Sequence, residues 1–595
     1  MTELSPEQSA IIDASLDPMA VIACAGSGKT LTAVRRLAEI RRQLGDHRGW
    51  VALLSFSNVA VDTFLQSYQP LVRDMSVGAG GHRVDIDTLD GFITRHVLHP
   101  HAHLTMQAAE AAFLVTGGES FLSGFTFKPG SYPVSITSMQ VGVRDSGLYF
   151  YYANNDQVVE LNQNDASRIV HRLGKTGAYT HNLGRYWCFQ TLKEQPIVLR
   201  ALARRFPHIL IDEAQDIGAP HQAILEQLIG AGVRVSLIGD PNQGIYEFAG
   251  ANGQFLAQYG ERSGITDLGL TRNYRSVPPI VDLANKLSAR KDVADREAPE
   301  TTHGAFFIPY KTTDRDKVVA AFQTAVLSAE LKVERSAVLC RGRELADRLA
   351  GDDSPAGQGT VKRFAQAAIA RDKKQDYMAA FKAVVTCIVG LLADPPKGLV
   401  AAITQGTRYP ATPSLRRLVW RFTRNPDTGL PSATLLADTE WHPQLLARVK
   451  ALLAILENEH GLKATDNIGM KLAKKGLPCA PLVATADLAA PNAPRIRIDT
   501  VHQAKGESLD AVLYMATKEH IAALLAGIDS EVGRIGYVAV TRARNLLWLG
   551  VPANALTELR PKLIALGFHE AGMPRANVAP DLPTETPLVA VGEQE

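Results

Sequence analysis

Cysteine is scarce in this sequence and no Cys-x-x-Cys pair occurs: Cys24, Cys188, Cys340, Cys387 and Cys479 lie scattered along 595 residues. That spacing excludes the usual zinc and iron–sulfur frameworks and a disulfide scaffold, and it points to reduced thiols in a cytoplasmic protein. No apolar run approaches the ~18 residues of a membrane-spanning helix, so no membrane partner is expected. The opening stretch, Met1 to Gln8, is polar and acidic, unlike a secretory leader. Neither sign of charge is in excess, since 63 Lys and Arg face 61 Asp and Glu for a net charge of +2. Composition therefore gives no sign of nucleic-acid binding, and any such binding needs a local groove. What remains, 46% hydrophobic and 21% charged residues, is ordinary for a globular protein. The length calls for about three to five domains or subdomains.

The informative feature is a Gly-rich turn. Ala23, Cys24, Ala25, Gly26, Ser27, Gly28, Lys29 and Thr30 follow the apolar run Met19-Ala20-Val21-Ile22 and precede a helical stretch from Leu31 to Arg42. Strand, turn and helix in that order make a phosphate-binding loop. The glycines let backbone N–H groups converge on a phosphate, and the helix N-terminus adds partial positive charge. Lys29 is expected to reach the β- and γ-phosphates of ATP, and the Thr30 hydroxyl to hold Mg²⁺. The strict pattern has Gly where Ala23 stands.

Two later strands end in polar residues. Residues 208–216 run from an apolar strand into Asp212-Glu213-Ala214-Gln215-Asp216. Parallel α/β sheets bind ligands at the carboxyl ends of their strands, so both leading carboxylates should face the loop. Asp212 suits the metal, and Glu213 suits activation of the attacking water. The next strand, 235–238, leads into Gly239-Asp240-Pro241-Asn242-Gln243, with Phe248 shortly after. Gln243 is placed to touch a γ-phosphate, and Phe248 offers a flat face to a base.

From here the chain resembles superfamily 1A DNA helicases of the UvrD/Rep/PcrA type, in motifs that keep their order along most of the sequence. Leu4-Ser5-Pro6-Glu7-Gln8 looks like the Q motif, Leu54-Ser55-Phe56-Ser57-Asn58 like motif Ia, and Thr88-Leu89-Asp90-Gly91-Phe92 like a Thr-x-His-x-Phe motif. Residues 212–216 and 239–251 stand for motifs II and III. Thr271-Arg272-Asn273-Tyr274-Arg275-Ser276 resembles motif IV, Thr500-Val501-His502-Gln503-Ala504-Lys505-Gly506 motif V, and Tyr537-Val538-Ala539-Val540-Thr541-Arg542-Ala543 motif VI. The resemblance implies that Gln8 reads the adenine edge and Tyr274 stacks on adenine. It puts Arg275 and Arg542 on the γ-phosphate, as arginine fingers supplied within the chain. It implies single-strand contacts at Phe56, Asn58, Phe92 and Phe248, and DNA contacts at Thr500 and His502 as well, on the coupling interface. Departures are visible too: Asp90 stands where His is usual, Phe248-Ala249 where Trp-Arg is usual, Val59 where Lys is frequent, and Ser508 where a Glu contacts the nucleotide sugar.

The expected architecture is α/β, two RecA-like P-loop domains with parallel sheets, each carrying an insertion. The first domain takes residues 1–92 and 195–267, and its insertion, 93–194, reads as a small antiparallel meander at 134–139, 147–152 and 157–161. The second domain takes 268–349 and 490–572, with a mostly helical insertion at 350–489. There Arg417, Trp420, Arg421 and Arg424 share one helical face. The Pro-rich tail 573–595 is expected to be disordered. The implied activity is ATP hydrolysis driving 3′→5′ movement on single-stranded or partly duplex DNA, in repair or antiphage defence. One alternative is a DNA-stimulated ATPase sensor with little unwinding. In that setting the chain is similar to the helicase subunit of Gabija-type systems, which has an OLD-family nuclease partner. A small-molecule kinase would leave motifs IV to VI unexplained.

Overall fold

Unbroken apolar stretches become the middle strands of two parallel sheets. The computed structural model describes residues 4–74, 83–115, 117, 119–144, 147–154, 157–246, 250–251, 253–297, 302–350, 357–373, 375–396, 398–404, 412–483 and 496–571. The first sheet has six strands in the order Thr266–Leu270, Met19–Ala23, Arg234–Gly239, His208–Ile211, Val51–Ser55, Val84–Thr88. All its neighbours run parallel. Successive side chains on a strand point to opposite faces. Val21, Leu53, Leu210 and Ile238 therefore enter one core, and Leu54, Ile209, Ile211 and Leu237 another on the far side. A sheet buried on both faces has no polar alternation to show, which is why these strands read as continuous hydrophobic runs.

The second sheet repeats the plan, in the order Arg497–Thr500, Ser336–Cys340, Leu509–Met515, Ala543–Pro552, Gly304–Tyr310, His569–Glu570. It too is parallel throughout. The chain is thus α/β with two RecA-like parallel sheets. The chain leaves the second sheet after Cys340 and returns at Arg497. Between them, helices Gly359–Asp372, Tyr377–Val389, Pro413–Arg424 and His442–His460 enclose a core of their own around Phe364, Phe381 and Trp441. In Pro413–Arg424, Arg417, Arg421 and Arg424 are exposed, while Trp420 packs edge-on against Phe381 with ring centroids 5.1 Å apart. The tail 573–595 lies outside the described residues.

Segment 93–194 is anchored in the first unit. Trp187, Cys188 and Leu192 of helix His181–Glu194 enter the same core as Phe206 and Ile209. It carries a three-stranded antiparallel sheet, Met139–Arg144, Gly147–Asn154 and Gln157–Glu160. The first strand starts later than the sequence pattern suggests. Val134–Ser135 pairs instead with Thr126–Phe127, and Ile136–Ser138 is a 3-10 turn capped by the Ser135 side chain.

Candidate nucleotide site and nucleic-acid interface

The turn after Met19–Ala23 depends on Gly26 and Gly28, whose φ angles of 74° and 79° strain any residue with a side chain. Gly26 matters for a second reason. A Cβ there would lie 2.4 Å from the Arg275 Cβ, and the Tyr274 N–H donates to Gly26 O at 2.9 Å. The loop is therefore closed over by the 271–276 segment. Lys29, the first residue of helix Lys29–Leu44, is buried and donates from Nζ to Cys24 O at 3.2 Å; Ser27 Oγ donates to the same carbonyl at 2.9 Å. Gln8 holds the loop from the other side, its Nε2 donating to Ser27 O at 3.1 Å while its Oε1 accepts from Ser5 N in a capping box. Ala23, Cys24 and Ala25 are buried, and burial pushes the Cys24 thiol up to about 12, which leaves it inert.

The carboxylates sit where the strand His208–Ile211 ends. Asp212 is 1% exposed, and its Oδ2 accepts from Thr30 Oγ1 at 3.3 Å. Its Oδ1 is buried with no hydrogen-bond partner among the described residues. Burial, then the adjacent Glu213, pushes the Asp212 carboxyl up to about 7. An orphaned carboxylate oxygen beside a threonine hydroxyl is a donor set that fits a hard, oxygen-seeking cation. Thr30 and Asp212 would thus hold Mg²⁺, whose chemistry is to neutralise phosphate charge. Glu213 takes φ 55°, a left-handed conformation uncommon for a non-glycine residue and characteristic of functional turns. Lys29 and Lys505 outweigh the cost of its burial and hold it below the usual carboxylate range, so it is ionised at neutral pH.

Gln215 ties these strand ends together. Its Nε2 donates to Glu213 Oε2, and its Oε1 accepts from Asp240 N at 3.1 Å. Asp240 Oδ2 in turn accepts from Gln243 Nε2 at 2.7 Å.

The second unit supplies the rest. Arg542, 1% exposed at the end of helix Glu531–Arg542, donates from Nη2 to Gln243 Oε1 at 2.8 Å. Arg275 donates to Thr541 O at 2.8 Å, and burial followed by the nearby Arg542 charge lowers its guanidinium to about 9. Lys29, Arg275 and Arg542 thus crowd positive charge around Glu213 and Gln243. Three further contacts clamp the motif III turn: Arg534 Nε donates to Gly244 O at 2.7 Å, His502 Nε2 lies 3.1 Å from Ile245 O, and the Lys505 ammonium sits 4.6 Å over the Tyr246 ring. Lys505 also bonds both Asp216 oxygens at 2.6 and 2.7 Å. Gln215, Asp216, Lys505 and Arg534 received no role from the sequence. The first three were spelled inside quoted motifs, but only their partners give them a function.

The residues expected on DNA divide. Phe56 is half-buried, edge-on to His221 with centroids 5.8 Å apart, and Asn58 is exposed at the start of helix Asn58–Asp74. Phe92 is corrected: at 2% exposure it packs on Phe206 (4.9 Å) and His96 (4.8 Å) in the core and has no face for a base. Thr500 is corrected as well, being buried with its hydroxyl donating to Gln503 Oε1 at 2.9 Å. Phe248 lies outside the described residues. Asp90, in place of the usual His, accepts from Arg185 at 2.7 and 3.1 Å and from buried His221 at 2.8 Å. An imidazole is thus present at this point, but it comes from helix Ala219–Gly230.

Residues 147–263 match the UvrD/REP helicase N-terminal domain and residues 410–553 the UvrD-like helicase C-terminal domain. Among curated relatives, the mitochondrial ATP-dependent DNA helicase HMI1 of Saccharomyces cerevisiae is 25% identical over 49% of this chain and 41% of its own. The ATP-dependent DNA helicase UvrD1 of Mycobacterium leprae is 23% identical over 48% of this chain and 39% of its own. DNA helicase II of Haemophilus influenzae is 31% identical over 17% of this chain and 14% of its own. The chain spans less than half the length of each.

Proposed function

We propose that the chain acts as a UvrD/Rep-type superfamily 1A helicase, hydrolysing ATP between its two parallel-sheet units to move 3′→5′ on single-stranded DNA. The observation that carries this reading is the Arg542–Gln243 hydrogen bond, which joins the second unit to the γ-phosphate side of the first. In this reading Glu213, ionised and fixed by Gln215, takes the proton of the attacking water. Lys29, Arg275 and Arg542 lower the energy of the charge that builds on the transferred phosphoryl oxygens. Tyr274 and Gln8 flank the adenine. The clamped motif III turn transmits cleft closure toward Phe56 and Asn58. The domain limits 1–92 with 195–267 and 268–349 with 490–572 belong to the same proposal, as does a cytoplasmic setting.

A DNA-stimulated ATPase with little unwinding is the second reading. Ser508 favours it: a short hydroxyl 3.5 Å from Arg544 Nη1 replaces the longer carboxylate. The antiphage setting with an OLD-family nuclease partner belongs to that version. Steady-state ATPase with and without single-stranded DNA, followed by displacement assays on 3′- and 5′-tailed duplexes, tests both. Stimulation with displacement only from the 3′ tail supports a translocating helicase, and stimulation without displacement supports the sensor. Absence of stimulation contradicts both.

A further inference from the structure

One face of the three-stranded sheet in segment 93–194 carries side chains that the site described above does not use. Residues directly opposite each other in an antiparallel pair share a face. The pairs Gln140↔Tyr151, Gly142↔Tyr149, Arg144↔Gly147 and Tyr151↔Glu160 thus put Gln140, Arg144, Tyr149, Tyr151 and Glu160 together. Met139, Val141 and Phe150 are buried on the other side. The Tyr149 and Tyr151 rings are half-buried neighbours, with centroids 5.8 Å apart and planes at 38°. A Cβ on Gly142 would lie 2.5 Å from the Tyr149 ring, so this glycine lets the ring lie down across the sheet, with the Arg144 guanidinium 4.7 Å from its centre.

This face is joined to the candidate DNA contacts by an unbroken row of side chains. Gln140 Oε1 accepts from Asn182 at 2.8 Å, Asn182 Oδ1 accepts from Arg185 at 3.2 Å, and Arg185 bonds Asp90 at 2.7 Å. Asp90 bonds His221 at 2.8 Å, and His221 meets Phe56 edge-on at 5.8 Å. A cavity of about 400 Å³, lined in part by Thr88, Asp90, Gly91, His181 and Gly184, opens beside this row.

We propose that Tyr149 and Tyr151 form a stacking platform for the bases of single-stranded nucleic acid, continuing the strand path that begins at Phe56. The proposal rests on the DNA-binding reading above. A pair of rings on an open antiparallel sheet, edged by polar groups, matches the flat faces and polar edges of successive bases. The Arg144–Glu160 ion pair is 57% and 45% exposed and contributes little, so the guanidinium can turn to a phosphate at small cost.

The test uses the full chain as wild type, Tyr149→Ala/Tyr151→Ala and Tyr149→Phe/Tyr151→Phe. It measures oligothymidine affinity across a salt series, basal ATPase and melting temperature. The alanine pair should lose about tenfold or more in affinity. Its log–log salt slope should stay unchanged, because no phosphate contact is removed. The phenylalanine pair should bind as wild type does, and basal ATPase should be equal in all three. Unchanged affinity in the alanine pair overturns the platform alone, as does a loss that phenylalanine fails to restore. A wild type that binds no oligothymidine overturns the DNA reading and the platform with it.

Discussion

Lys29, Asp212 and Glu213 show what a single side chain can be asked to do. Lys29→Ala removes the ammonium nearest the phosphates, so ATP binding and turnover should fall together. Glu213→Gln keeps the shape and the Gln215 partner but cannot take a proton. Binding should survive while kcat falls roughly 10²–10⁴-fold, the usual worth of a general base. Equilibrium nucleotide binding beside steady-state turnover checks both, and near-normal turnover in Glu213→Gln would remove it as the base. These residues were legible because a phosphate loop and a strand-end acidic pair are contiguous in sequence. Gln215 and Lys505 were not, since Gln215 has meaning only against Asp240 and Lys505 only against Asp216 and Tyr246. The same physics explains the Phe92 error: an aromatic beside a motif looks the same on paper whether its ring faces solvent or Phe206.

At the scale of elements, that correction gives a contrast. Phe92→Ala should open a core cavity and cost about 3–5 kcal/mol of stability. Phe56→Ala, from a half-buried site, should leave the denaturation midpoint nearly unmoved while lowering DNA-stimulated ATPase. Equal midpoints for the two variants would return Phe92 to the surface. The strand His208–Ile211 makes a second prediction. Burial, then Arg234, lowers the His208 imidazole from its ordinary 6.5 to about 4. Between those values the unfolded chain takes up a proton that the folded chain refuses, so stability is lost as pH falls through that window and not above it. His208→Asn should flatten this part of the profile, read as denaturant midpoints at pH 7 and pH 5; identical pH dependence in the two proteins would contradict it. The parallel strands were legible as apolar runs. The meander was legible as three strands but misplaced at its start, because Ser135 caps a 3-10 turn that strand propensity does not foresee.

At the scale of the whole molecule, the account turns on two units meeting. The ordered motifs announced both halves in the sequence, but not how tightly they clamp the motif III turn through Arg534, His502 and Lys505. Such contacts join residues far apart in the chain, and no local pattern encodes them. The central claim is that the second unit completes the catalytic site and does not merely cover it. Arg542 is the direct probe, since its guanidinium reaches Gln243 on the first unit at 2.8 Å. ADP lacks the phosphate that Arg542 is assigned to contact. The decisive measurement is kcat for ATP beside ADP affinity in wild type, Arg542→Ala and Arg542→Lys. The account predicts a fall in kcat of roughly 10²–10⁴ for Arg542→Ala with ADP affinity little changed. It also predicts poor rescue by lysine, whose point charge cannot reproduce a planar fork. Parallel losses of ADP affinity and turnover would contradict it, because they would make Arg542 a support of the fold and leave catalysis to the first unit alone.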